Sequence, residues 1–312
     1  MTPTVVIDVF LALGLVVLAW QALIGSSLFR GIVMFIVFGM VLTLAWAWLG
    51  SPDLAMAEAA IGAGVTGALI MIAYWRLRRI NAVEPRDPSP ARSRLALVIA
   101  VLATGLVGAI GLAAVSALTG DATAARVMNE TLPDTGLGNP ITGVLIVFRN
   151  LDTLLEVAVV LAAYIAARAA LGRESADLPL PPAPDTPLLT PLVVTLAPLT
   201  MVVAIYLLKA GSQYPGGAFQ ASALLAALGV LLVLTGRVGP AAAANWLTRA
   251  GLVIGTLVFC LVGLGMLVIG APLLAIPGIW AVYLIEAAMM ISIGLTLVLL
   301  FAGAPGLSGK RS

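Results

Sequence analysis

The sequence predicts an all-α, polytopic integral membrane protein with about nine transmembrane helices. Three observations predict it. Hydrophobic residues make up 62% of the 312 residues and charged residues only 10%, whereas a soluble domain is close to half apolar and a quarter charged. The mean hydropathy is +1.14. Apolar stretches of roughly the 20 residues needed to cross a bilayer recur along the chain, and the arginines and lysines gather in the connections between them.

The spanning stretches read Val5–Leu23, Phe29–Leu49, Leu54–Trp75, Leu95–Leu118, Ile141–Ala167, Leu188–Leu208, Gly217–Thr235, Gly251–Ile269 and Ile279–Phe301. The connection after the third holds Arg76, Arg78, Arg79, Arg86, Arg92 and Arg94, which marks it as cytoplasmic. Alternation then puts Arg30, Arg168, Arg173, Arg237, Arg249, Lys310 and Arg311 on that side. Asp53, Asp121, Glu130 and Asp134 fall on the opposite side, with Arg126 and Lys209 in mild disagreement. The expected topology has the N-terminus outside and the C-terminus cytoplasmic. Met1 to Asp8 has no basic region of the kind that precedes a cleaved signal peptide.

Two polar linkers divide the chain, Asn81–Arg94 and the proline-rich Gly172–Pro191, which is expected to be extended rather than helical. The expected units are 1–80 with three spans, 81–171 with two, a linker at 172–187, and 188–312 with four. Glycines at small-residue spacing, Gly251, Gly255, Gly263 and Gly265 among them, suit close helix packing in lipid.

Composition also excludes chemistry. The chain has no histidine and one cysteine, Cys260. A histidine zinc site, a Ser-His-Asp triad and an internal disulfide are therefore impossible. A net charge of +2 gives no reason to expect nucleic acid as a partner. The partner that composition implies is the lipid bilayer.

Intramembrane charges are costly and need a reason. The densest group is Arg149, Asp152 and Glu156, at i, i+3 and i+7, which a continuous helix would bring to one face. Two carboxylates and one guanidinium suit binding and release of a proton or cation; a structural ion-pair network is the other reading. Ser51-Pro52-Asp53 reads as a helix start, with Ser51 the N-cap, Pro52 the first helical residue and Asp53 favourable at the positive end of the dipole. Glu58 lies further into that helix and points away from Asp53. It is followed by Gly62, Gly64 and Gly67, which permit either a bulge or close packing. Glu286 is the only acid of the last span. Lys209 is its candidate partner, although a lysine at a helix end commonly reaches for the interface. Pro215-Gly216-Gly217 forces a turn with unusual backbone angles.

Three motifs carry a family resemblance. Ser51-Pro52-Asp53-Leu54-Ala55-Met56-Ala57-Glu58 resembles the Ala-Pro-Asp-Leu-Ala-Leu-Thr-Gln motif of the small domain near the C-terminal end of the large A subunit of Mrp-type Na+/H+ antiporters. That domain is also the D-type subunit of membrane-bound hydrogenases. Ala57-Glu58 stands where Thr-Gln is common. Phe148-Arg149-Asn150-Leu151-Asp152-Thr153-Leu154-Leu155-Glu156 resembles the Phe-Arg-x-x-Asp-Thr-x-x-Glu pattern of the following E-type domain. Gly211-Ser212-Gln213-Tyr214-Pro215-Gly216-Gly217-Ala218-Phe219 is similar to the Gly-His-x-x-Pro-Gly-Gly-Gly-Phe pattern of the Mrp B subunit, with Ser212 in place of the histidine and Ala218 in place of the third glycine. No role of that histidine carries over.

The resemblance implies a D–E–B fusion, a non-catalytic and cofactor-free membrane subunit of an Mrp-type cation/proton antiporter. It would sit in the inner or plasma membrane of a prokaryote. Its partners would be a separate large antiporter-like subunit and a small C-type subunit. The transported species would be H+ and Na+ or another cation, with Asp152, Glu156, Arg149, Glu58, Glu286, Asp53 and Lys209 on the pathway and a bulge at Gly62 and Gly64. The alternatives are a membrane subunit of a redox-driven complex-I-like or hydrogenase complex, and a free-standing carrier or assembly subunit.

Overall fold

The computed structural model describes residues 3–24, 27–79, 90–117, 123–171, 187–238 and 245–303. Those residues are all-helical, with no strand among them. Eight of the helices are long and apolar enough to cross a membrane. The charged linker 80–89, residues 172–186 of the proline-rich linker, Met1, Lys310 and Arg311 lie outside the described residues.

The described residues open with α1 (Pro3–Ile24) and α2 (Leu28–Trp48), which form a hairpin. Its ends are tied by polar pairs: Trp48 Nε1 donates to Asp8 at 2.8 Å, and Arg30 Nη2 donates to Gln21 at 2.7 Å. The third crossing runs from Pro52 to Arg79. It is built of α3 (Pro52–Ala57), a π-helical stretch at Glu58–Val65, and α4 (Thr66–Arg79). Gly62 and Gly64 lie within the π-helical stretch. Glycine holds an α-helix weakly, and a π-bulge is a change of backbone hydrogen bonding that a weak stretch admits.

Next come α5 (Pro90–Ala117), the short α6 (Thr123–Thr131) and a 3-10 turn at Leu132–Thr135. The fifth crossing differs from the continuous helix expected over Ile141–Ala167. It consists of α7 (Pro140–Thr142), a π-helical stretch at Gly143–Phe148, a break at Arg149, and α8 (Asn150–Leu171). At the break Arg149 has φ −130° and ψ 38°, outside the helical region. A local polar side chain takes over one freed backbone group, Thr153 Oγ1 donating to the Leu145 carbonyl, while Asn150 Nδ2 donates across to the Leu274 carbonyl between α11 and α12. Asn, Asp and Thr side chains compete with helical hydrogen bonds in this way.

The last four helices are α9 (Leu189–Ala210), α10 (Ala218–Leu234), α11 (Trp246–Val268) and α12 (Ile279–Phe301). Pro191 is not in an extended linker. It occupies the first turn of α9, where a backbone N–H has no helical partner to lose. At 17 residues α10 is shorter than the other spans, about 25 Å long.

The core is centred on α12, which packs against α8, α10 and α11. Its most apolar stretch is 61% buried, against 0% for α1 and the α5 span Leu97–Val115. Val157 of α8, Phe259 of α11 and Ile285, Met289 and Ile293 of α12 form the main cluster. Gly255 lets α11 approach α12: a Cβ there would lie 2.9 Å from Ser292 Cβ and 3.2 Å from the Met289 Cα. Gly255→Ala must push backbone apart rather than turn a flexible side chain. Overpacking of this kind costs about 1–3 kcal/mol. The purified variant should melt below the parent protein in detergent, and an unchanged melting temperature would disprove the close approach.

Candidate functional site: an acid-lined cavity where three parts of the chain meet

The Pro-Gly-Gly turn organises the site. Gly216 and Gly217 have φ of +156° and +124°, a region that favours glycine. The turn aims backbone amides at two different carboxylates. The Gly216 N–H donates to Asp53 Oδ1 at 3.1 Å, and the Ala218 N–H, in the first turn of α10, donates to Glu286. A carboxylate is well placed there, because the first amides of a helix are unpaired and carry its positive dipole end. Gly217 also makes room: a Cβ would stand 3.2 Å from Glu286 Oε1.

Asp53 is 6% exposed. Beyond its bond to Gly216, Oδ1 accepts from Asn139 Nδ2 at 3.2 Å, and its backbone carbonyl accepts from Gln220 Nε2 at 3.3 Å. Asn139 also donates to the Tyr214 carbonyl at 3.0 Å and caps the following helix by accepting from the Ile141 N–H at 2.9 Å. Asp53 is thus more than a helix-start carboxylate. It ties residues 50–54, the 136–142 loop and the 211–217 loop together. Ser51 stands at the N-cap position without making the side-chain bond expected of it.

A cavity of about 240 Å³ lies beneath this junction, lined by Asp53, Thr153, Glu156, Gln220 and Glu286 among apolar side chains that include Phe219 and Met289. Three carboxylates from the first, middle and last parts of the chain therefore face one space. Glu286 is 3% exposed, and its Oε2 has no hydrogen-bond partner among the described residues. Glu156 is exposed, so the cavity reaches the surface of the chain along α8. A second cavity of about 300 Å³ lies on the loop side of Asp53, between Gly50–Leu54, Gly138–Ile141 and Gln213–Pro215. Asp53 lines both.

The remaining candidates fall elsewhere. Arg149 sits at the break, not on the α8 face that a continuous helix would have given it; it pairs with Asp152, with side chains 70% and 47% exposed. The Glu58 carboxylate lies against Gly62 and Gly39 within the first unit. The expected Lys209–Glu286 pair is not formed: Lys209 is exposed at the end of α9, Glu286 is buried, and no ion pair joins them among the described residues. No group of His, Cys, Asp or Glu among those residues is arranged to hold a metal ion. Ser212, fully buried, shares a 2.7 Å hydrogen bond with the Tyr283 hydroxyl. Asn139, Thr153 and Gln220 were not among the sequence candidates. Asn139-Pro140 before an apolar run is a helix-start signature that marks the first of them; the other two are ordinary polar residues whose position only packing reveals.

The fold and this cavity define a polytopic membrane protein whose interior polar site is assembled from separate parts of one chain. Residues 13–79 match the MbhD family, the D-type subunit of MBH, and residues 188–304 match the domain related to the MnhB subunit of Na+/H+ antiporter. One chain thus carries a segment similar to the D subunit of MBH and a segment similar to the MnhB-related domain. A chain in the solved structure of the Mrp complex from Dietzia sp. DQ12-45-1b has the same fold, with a TM-score of 0.74 at 23% identity. The match covers 97% of this chain but 35% of that one. No curated protein matches the chain.

Proposed function

We propose that the chain is a non-catalytic membrane subunit of an Mrp-type cation/proton antiporter that contributes part of the ion or proton pathway and joins neighbouring subunits. One observation carries the reading: Asp53, Glu156 and Glu286 line a single cavity inside a helical membrane protein, where carboxylates are expensive unless they bind or relay a cation. The loop-side cavity meets Asp53, and the inner cavity leads on to Glu286 and to Glu156 at the surface of α8. A proton or Na+ has carboxylate oxygens to exchange between along that line. Residues 81–171 act in this reading as the E-type unit, and the arginine-bearing ends of the crossings face the cytoplasm.

Arg149, Asp152 and Glu156, at the surface of the chain, support a multi-subunit assembly. Lipid is a poor neighbour for three charges, so a large antiporter-like subunit and a small C-type subunit cover this side of α8. The match to the MbhD family favours a second reading, a membrane subunit of a hydrogenase-like redox complex. The chain would be expressed with an affinity tag in its native host, and the co-purifying proteins identified. Antiporter subunits, with cation/proton exchange in liposomes that needs the whole assembly, are the expected result. Flux from liposomes holding this chain alone would refute the subunit reading, and a co-purifying hydrogenase-like catalytic subunit would replace it with the second.

A further inference from the structure

The ends of α4, α10 and α12 come together through Ile72, Val233 and Phe301, with Trp75 and Leu234 packed against them. This end is strongly basic. Arg76 Nη2 donates to the Phe301 carbonyl at 3.1 Å, yet its Nε is buried without a hydrogen-bond partner among the described residues. Arg79 lies over the Trp75 ring, 4.5 Å from its centroid, and Arg78 and Arg79 are exposed. Among the described residues none of these arginines is ion-paired. An apolar groove of about 320 Å³ runs between the third crossing and α10, lined by small residues that include Gly64, Ala68, Ala223 and Ala227 and reaching Val230. Gly64, Ala68, Trp75 and Arg79 follow one another at helical spacing on one side, as do Ala227, Val230 and Leu234 on the other. The groove therefore leads towards the arginine end.

We infer that this groove and its basic end form a site for an anionic phospholipid, its acyl chain between α4 and α10 and its phosphodiester at Arg76 and Arg79. The two parts match the two parts of such a molecule: an apolar channel lined by no polar side chain, and next to it cationic donors that pair with no carboxylate among the described residues. Trp75 stands between, where an aromatic ring with a wet edge suits the headgroup boundary. Basic pockets between membrane helices hold anionic headgroups in this way.

The test uses the full chain purified in detergent and exposed to micelles doped with dioleoylphosphatidylglycerol, dioleoylphosphatidylcholine or inorganic phosphate alone. Retained phospholipid is measured by mass spectrometry after washing, with the melting temperature as a second readout. Phosphatidylglycerol should be retained and raise the melting temperature, and the other two should do neither. Arg79→Gln should lower phosphatidylglycerol affinity about fivefold, the equivalent of one arginine near an anionic surface. Ala227→Leu fills the groove without changing charge and should abolish retention. These two variants carry the test because Arg76→Gln also removes the contact to Phe301. Equal retention of phosphatidylcholine, stabilisation by phosphate alone, unchanged retention in Ala227→Leu, or a protein helix cross-linked to Ala227→Cys in the native complex would each overturn the assignment.

Discussion

Asp53→Ala is expected to destabilise the chain more than any other single change at the site. The substitution leaves the Gly216 N–H without its acceptor and takes from Asn139 one of its two. Both are buried, and an orphaned buried donor costs about 1–3 kcal/mol. The loss also falls where residues from the first, middle and last parts of the sequence meet, so these parts of the chain should loosen from one another. Asp53→Asn keeps an acceptor oxygen and should cost less. Thermal unfolding of the purified variants, with limited proteolysis in the 136–142 and 211–217 loops, reads both effects. Equal melting of Asp53→Ala and the parent protein would show that the junction does not hold these parts of the chain together.

Glu286→Gln is expected to act on transport rather than on folding. Glutamine keeps a carbonyl oxygen for the Ala218 amide and much the same shape, and it removes a titratable group from a buried site. Assembly should be preserved while coupled flux falls by more than about tenfold, the loss that corresponds to some 1.4 kcal/mol of barrier. If Glu286 only fixes the start of α10, flux should stay near that of the parent.

The helices were legible because lipid imposes a simple rule. A crossing must be an apolar run of sufficient length, and that is visible one residue at a time. The acids were legible for the same reason, since a carboxylate in an apolar run stands out. Hydropathy is blind, however, to the path of the backbone. The break at Arg149 lies in a stretch with spanning composition, and the side-chain bonds beside it, from Thr153 to Leu145 and from Asn150 to Leu274, go to carbonyls that no sequence pattern names. The Lys209–Glu286 pairing failed because it requires the rotation of α9 relative to α12, which packing decides. The glycine run at Gly62 and Gly64 coincides with the π-helical stretch, because the weakness that permits it is a property of those residues alone. Asn139 shows the limit from the other side: its neighbour Pro140 marks a helix start, but nothing nearby in the sequence points to Asp53, which precedes it by more than eighty positions.

The central claim is that Asp53, Glu156 and Glu286 serve one pathway. The most direct measurement compares Glu156→Gln with the parent, scoring subunit assembly and cation/proton flux on the same purified complex. Glu156 is exposed on α8 and makes no ion pair among the described residues, so its replacement strands no buried partner. Full assembly with coupled flux lost is the expected result. A fully assembled Glu156→Gln complex that transports at the parent rate would contradict it.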